Sequence, residues 1–105
     1  MKFGITDSEL ETITNVFLSS DKVDRAVLFG SRVKNDFRPG SDIDIAIYGV
    51  HLRFDDFLSL AVQVDALDLL YKIDLVRFES IESLELIDHI NRLGVTIYDR
   101  NQIGK

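Results

Sequence analysis

The chain has 105 residues and a net charge of −6, a length that suits one compact domain with a modest core. Hydrophobic residues make up 46% and charged residues 29%, which excludes a disordered chain, and the absence of cysteine excludes disulfide scaffolds, thiol catalysis and cysteine zinc sites. The acidic balance argues against nucleic acid and anionic membranes as partners, and no apolar run approaches the roughly 18 residues of a membrane span. With no apolar signal segment at the N-terminus, we expect a single cytoplasmic domain over residues 1–105.

Helical and strand patterns alternate along the chain. In order, they predict a helix capped at Thr6, a strand over 23–29, a loop over 30–42 with one helical turn after Ser31, a strand over 41–48, a helix over 54–71, a strand over 72–78, a helix between a cap at Ser80 and a stop at Gly94, and a strand over 95–98. This order predicts an α/β or α+β domain, with a small mixed sheet of about four strands and helices packed against it.

Two aspartates lie two positions apart on the second predicted strand. Strand geometry places the side chains of Asp42 and Asp44 on the same face, where their charges repel unless a cation lies between them. Asp74 lies between Ile73 and Leu75 on the third strand, where an ionised carboxylate is costly unless it faces solvent or a metal ion. On a neighbouring strand, Asp74 would complete a set of three carboxylates suited to Mg²⁺ and to two-metal nucleotidyl transfer.

Gly30 and Ser31 lie where the first strand ends and a helical turn begins. Glycine allows a phosphate to approach the backbone closely, and the amides of Ser31 and Arg32 can donate to phosphate oxygens, while Lys34 adds positive charge. Taken singly, Asp-x-Asp is also typical of an exposed edge strand, and Gly-Ser of an ordinary turn. The prediction therefore rests on the combination of these features and on their order.

In combination these residues resemble a known signature. The stretches Gly-Ser-Arg-Val-Lys at 30–34, Arg-Pro-Gly-Ser-Asp-Ile-Asp-Ile at 38–45 and Ile-Asp-Leu-Val at 73–76 are similar to the signature of the nucleotidyltransferase superfamily related to DNA polymerase β. Within it, the chain resembles the minimal nucleotidyltransferases (MNT), which pair with a separately encoded, all-helical HEPN protein as toxin–antitoxin systems. The resemblance extends to the strand at 94–98 and implies the nucleotidyltransferase fold.

The resemblance also implies roles for individual residues. It implies metal binding and catalysis by Asp42, Asp44 and Asp74, the last of which would also deprotonate the attacking hydroxyl. It implies nucleotide binding by Gly30, Ser31 and Arg32. Three departures from the family pattern affect only the shape of the loop, and hence nucleotide selectivity: Asn35, Phe37 and Gly40.

The function implied is the transfer of AMP from ATP to a hydroxyl, with Mg²⁺ as cofactor and two ions expected. Because no further domain is expected to hold another acceptor, a hydroxyl on a partner subunit fits, and the resemblance indicates a tyrosine of a HEPN toxin. Two alternatives stay open: a catalytically silent antitoxin that masks its partner by contact, and a catalytic subunit that modifies a small molecule held by a partner. A homodimer and a hetero-oligomer also stay open.

Both histidines are interpreted as surface residues rather than ligands or bases. His51 follows the Asp-x-Asp strand, and His89 lies off the apolar stripe predicted for the last helix, which is Leu84, Ile87 and Ile90. Phe54 and Phe57 are interpreted as core residues. With helices on one side of a small sheet, we expect some apolar surface to remain for a partner to cover.

Overall fold

Helices and strands alternate in the computed structural model, which describes residues 3–38 and 40–102. The helices within these residues are α1 (Asp7–Leu18), α2 (Ser31–Lys34), α3 (Phe54–Asp65) and α4 (Leu84–Leu93). The strands are β1 (Arg25–Phe29), β2 (Ile43–Tyr48), β3 (Ile73–Arg77) and β4 (Val95–Asp99). Short 3₁₀ turns follow β3 at Phe78–Ser80 and β4 at Arg100–Gln102, and the rest of the polar C-terminal segment lies outside the described residues.

The four strands form one mixed sheet in the order β3-β2-β1-β4. β1 pairs antiparallel with β2 and with β4, whereas β2 and β3 are parallel. Parallel neighbours need a crossover connection, and α3 provides it. The predicted fold class is therefore confirmed, and β3 lies at one edge of the sheet, next to the strand that carries Asp44.

Apolar side chains pack against both faces of the sheet. One core cluster joins the sheet to α1 and α3 through side chains that include Ile13, Phe17, Leu60 and Val64. A second cluster joins Val27, Phe29 and Ala46 to Ile90 of α4. Helices thus lie on both sides of the sheet, and the expectation of helices on one side is wrong because α4 crosses back over the face that carries Ala46.

The first helix begins as predicted. The Glu9 amide donates to Thr6 Oγ1 at 3.0 Å, and the Thr6 amide donates to Glu9 Oε1 at 2.9 Å. This reciprocal pair satisfies two amides that have no partner within the helix.

Among residues 3–38 and 40–102, no helix has the length and apolar character needed to cross a membrane.

Two helix boundaries differ from the prediction. α3 ends at Asp65 rather than near Tyr71, because the apolar residues that follow pack on the core from an irregular segment, in which the Tyr71 hydroxyl donates to Gly4 O at 3.1 Å. α4 is capped by Ser83, whose hydroxyl accepts from the Leu86 amide at 3.2 Å, and not by Ser80, which lies in the preceding 3₁₀ turn.

Candidate active site

The three predicted acidic residues lie together at one end of β2 and β3. In the parallel register, Asp44 is directly opposite Asp74, a position that places their backbones about 4.8 Å apart. Asp42 immediately precedes β2 and, two residues before Asp44, points to the same face. Asp42 and Asp74 are exposed, whereas Asp44 is half-buried.

The electrostatics of Asp44 reflect this arrangement. Burial raises the pKa of the Asp44 carboxyl, and the negative charges of Asp74 and Asp42 raise it further, while Arg32 and His89 act in the opposite direction. The two neighbouring carboxylates therefore make ionisation of Asp44 more costly, as like charges at a shared site do. The structure therefore brings Asp42 and Asp74 close enough to Asp44 for their charges to act on it.

Gly30 lies directly against Asp44. Phe29, the last residue of β1, pairs with Asp44, and Gly30 then turns away with φ +89° and ψ −153°. A Cβ atom at this position would overlap Asp44 Oδ2, and the positive φ is itself a conformation that side chains disfavour. Both the backbone and the space available therefore require glycine here.

The helical turn expected after Ser31 is present as α2, and Ser31 is its first residue. The turn ends at Asn35, which adopts the left-handed conformation with φ 63° that asparagine tolerates better than most residues. Lys34 and Gly30 line an open pocket of about 390 Å³ together with His89. The loop thus places Gly30 against Asp44, while Lys34 lines a pocket with Gly30 and His89.

Arg32 is placed differently from the prediction that it binds nucleotide. Its side chain is only 2% exposed, and its guanidinium donates to three backbone carbonyls, those of Phe3, Ser41 and Asp42. It also lies over two aromatic rings, Phe37 at 4.8 Å and Tyr71 at 4.7 Å. With its donors directed at the backbone, Arg32 fixes the segment that leads into Asp42, which makes it a positioning residue.

His89 belongs to this site, and sequence reasoning missed it. The Gly30 amide donates to His89 Nε2 at 2.9 Å, and the half-buried imidazole packs edge-on against Phe29 at 6.1 Å between ring centroids. The predicted inward stripe of α4 is confirmed at Ile90 but wrong at Leu84, which is exposed, and Leu86 packs with Ile90 against the sheet instead. The helical spacing of Leu86, His89 and Ile90 is the signal that could have placed His89 on the face of α4 that packs on the sheet.

His51 is exposed in a turn, as expected.

The donor set suits a hard divalent cation. Among the described residues, no group of three acidic, histidine or cysteine side chains is arranged so that it could hold a metal ion by itself. Mg²⁺ at nucleotide sites is usually held by one or two carboxylates and completed by substrate phosphates. Asp42, Asp44 and Asp74 offer oxygen ligands, and their mutual repulsion is what a bound cation would relieve.

Comparison with known families agrees with this geometry. Residues 11–103 match the family described as polymerase beta, nucleotidyltransferase. The chain belongs to this nucleotidyltransferase family. A search of curated proteins gives no significant match.

Similar solved structures come from toxin–antitoxin complexes. A chain in a toxin–antitoxin crystal structure with AMP-PNP has a TM-score of 0.70 and 25% identity, over 89% of this chain and 75% of that chain. A chain in the complex of a tri-AMPylated HEPN toxin with the MNT antitoxin of Shewanella oneidensis has a TM-score of 0.61 and 26% identity, over 89% and 71%. A chain of an MntA–HepT complex has a TM-score of 0.65 and 25% identity, over 92% and 75%. The resemblance to MNT antitoxins is therefore confirmed.

Proposed function

We propose that this chain transfers AMP from ATP to a tyrosine hydroxyl of a separately encoded, HEPN-type helical protein, and that it acts as an antitoxin by this modification. The observation that carries the proposal is the register that sets Asp74 beside Asp44, with Gly30 packed against the Asp44 carboxylate. The nucleotide analogue and the tri-AMPylated toxin in the similar complexes also support it. Because the reaction consumes ATP, we place it in the cytoplasm.

Nucleotide binding is assigned to the loop and the carboxylates. Gly30 lets the triphosphate approach the backbone, and Ser31 supplies its amide and hydroxyl as donors. Asp42, Asp44 and Asp74 would hold Mg²⁺, with two ions proposed, together with phosphate oxygens. When bound, the metal would neutralise the charge of the phosphates and make the acceptor hydroxyl easier to deprotonate.

Asp74 is proposed to take the proton. It is exposed on the edge strand, so an acceptor hydroxyl can approach it from outside the sheet. The acceptor oxygen attacks the α-phosphorus of ATP, the bond from that phosphorus to the pyrophosphate oxygen breaks, and pyrophosphate leaves. The proton of the hydroxyl passes to the Asp74 carboxylate, which acts as the general base.

Intact-mass spectrometry of the HEPN-type protein co-expressed with this chain tests the proposal. We expect the partner to gain the mass of one AMP residue per modified site, and we expect no gain with the double variant D42N/D44N, which removes two of the metal ligands. A partner that stays unmodified yet binds tightly would contradict AMP transfer and would favour masking by contact.

A further inference from the structure

α3 presents an apolar stripe to solvent. Phe54, Leu58 and Val62 are spaced by four residues, which places them on one helical face, and they are 61%, 45% and 69% exposed. Phe54 is thus not the core residue that its position in the amphipathic pattern suggests. A contiguous row of large exposed apolar side chains marks an interaction surface more often than isolated ones do.

The stripe borders the outer edge of β3. Within the described residues β3 pairs only with β2, so its other edge is open. Two pockets of about 310 and 460 Å³ lie along this edge and share Leu75 as a lining residue. Leu58 and Val62 line the first pocket and Phe54 lines the second. We name this surface, defined by these four residues, the α3–β3 face.

We propose that the α3–β3 face is the docking surface for the acceptor protein, and that the acceptor contacts it with apolar residues flanked by lysine or arginine. The inference rests on the proposed function, since it takes Asp74 as the group that the acceptor hydroxyl must reach. Asp74 lines the same pocket as Leu58 and Val62. A folded protein that delivers a hydroxyl to Asp74 from the open edge therefore has to cover this apolar surface.

The charges along the face determine the kind of occupant. Asp65 and Asp74 line the first pocket and Glu82 lines the second, whereas the basic lining residue, Arg77, donates to Leu52 O at 2.9 Å. A second copy of this chain, with its net charge of −6, would bring like charges together here. A partner with basic residues around an apolar centre is complementary to this face both in charge and in apolar surface.

Thiol labelling tests which surface the partner covers, since the chain has no cysteine of its own. We compare L58C with L93C, because Leu58 and Leu93 are helical residues with exposures of 45% and 46%, and Leu93 lies outside both pockets. With the co-expressed HEPN-type protein bound, we expect maleimide labelling of L58C to slow at least about tenfold and labelling of L93C to be unchanged.

A charge placed on the face gives an independent measurement. V62E should weaken the binding of the HEPN-type protein by about tenfold or more, as loss of a central apolar contact does. V50E introduces the same charge at an exposed valine in the turn after β2, outside both pockets, and should bind as the unsubstituted chain does. Raising the salt concentration should weaken the complex, because the charged rim is screened.

Several outcomes would overturn the docking proposal. These are equal labelling of L58C and L93C in the complex, equal binding by V62E and V50E, failure of the HEPN-type protein to bind, and protection of L58C in the absence of partner at high protein concentration, which would indicate a second copy. Intact mass measured on the same samples keeps the two proposals apart. Protection without AMP gain contradicts AMP transfer alone, whereas AMP gain without protection contradicts the docking face alone.

Discussion

Asp74 and Asp44 are neighbours across two strands, yet their surroundings differ. Asp44 is half-buried against Gly30, whereas Asp74 is exposed on the edge strand. Because Asp74, unlike Asp44, can be approached freely from outside, we expect D74N to separate binding from transfer. Nucleotide should still bind through Gly30, Ser31 and the metal held by the other two aspartates. Transfer of AMP to the partner should fall by about 10²–10⁴-fold or more.

Measuring nucleotide affinity and partner modification on the same D74N protein tests this prediction. Asp68, which is exposed in the segment before β3, supplies the control variant D68N. It should change neither quantity. If D74N transfers AMP at the rate of the unsubstituted chain, Asp74 is neither the base nor a metal ligand, and another carboxylate must serve.

Gly30 and Gly40 allow backbone strain to be separated from contact with the site. Both have positive φ, +89° and +84°, so alanine at either position should cost roughly 1–2 kcal/mol of stability. An added Cβ at Gly30 would meet the Asp44 carboxylate, whereas at Gly40 no atom of the described residues beyond its chain neighbours lies within 4 Å. We therefore expect G30A, but not G40A, to lose nucleotide-dependent stabilisation in thermal unfolding, and S31A to lose only part of it. Equal losses in G30A and G40A would mean that strain alone is responsible.

His89 is expected to act by holding the Gly30 amide. In H89L that amide loses its acceptor, which leaves a donor unsatisfied at a cost of about 1–3 kcal/mol and frees the peptide to rotate. Nucleotide should then bind about tenfold more weakly in titration calorimetry. H89Q, whose side-chain oxygen can accept the same hydrogen bond, should recover most of the affinity. If both variants bind nucleotide normally, His89 only fills space in the core.

The aspartates and Gly30 could be predicted from the sequence, but the roles of Arg32 and His89 could not. Period-two geometry places Asp42 and Asp44 on one face, and Asp74 joins them because β3 pairs in parallel with β2, which the structure supplies. Arg32 and His89, by contrast, interact with backbone atoms that are distant in sequence; the bond from Gly30 to His89 spans 59 positions. No local pattern encodes the hydrogen bond from Gly30 to His89, because it depends on the angle at which α4 crosses the sheet.

At the level of the elements, the start of α4 provides a direct test of a corrected boundary. Ser83 caps the helix by accepting from the Leu86 amide, so S83A should reduce the free energy of unfolding by about 1 kcal/mol. Ser80 lies in the 3₁₀ turn before it, and S80A should stay within about 0.5 kcal/mol of the unsubstituted chain. Chemical denaturation of the two variants decides between these serines, and a larger loss in S80A would restore the boundary predicted from the sequence.

Elements with strong local signals are more predictable than the end of α3 and the start of α4, whose boundaries depend on packing. β2 was predicted by its alternation and α1 by its capping box, since both signals are local. The end of α3 was wrong because residues 66–71 keep apolar side chains that serve an irregular packed segment equally well. The inward face of α4 is wrong at Leu84, because a short helix with apolar residues at several phases is oriented by the sheet on which it packs.

In the whole molecule, the two helical layers leave the β3 edge as the open side. α1 and α3 cover one face of the sheet and α4 covers part of the other. Asp44 and Asp74 lie on the two strands nearest that side, and the exposed stripe of α3 lines the pocket that contains Asp74. The proposed nucleotide site and the proposed docking surface therefore lie next to each other on this side.

The same arrangement should make the stability of the whole protein depend on Asp44. The pKa of its carboxyl is raised in the folded chain by burial and by its two acidic neighbours, from an ordinary value of 3.8. The folded state therefore binds the proton more tightly than the unfolded state does. The resulting stabilisation is complete below pH 3.8 and is lost as the pH rises through the raised pKa. At neutral pH the ionised Asp44 opposes folding.

We accordingly expect D44N to raise the Tm of the protein at neutral pH in the absence of metal and nucleotide, and to match the unsubstituted chain more closely as the pH falls toward 4.

Added together, Mg²⁺ and ATP should raise the Tm of the unsubstituted protein, because ligands that bind only the folded state stabilise it by mass action. D44N should lose that increase, whereas D21N, which alters an exposed aspartate in the turn after α1, should behave normally in both measurements. A full increase in D44N, or in D42N/D44N, would show that these aspartates do not hold the metal. A lower Tm for D44N without ligands would show that the carboxylate stabilises the site rather than opposing its formation, with the repulsion relieved only when a cation binds.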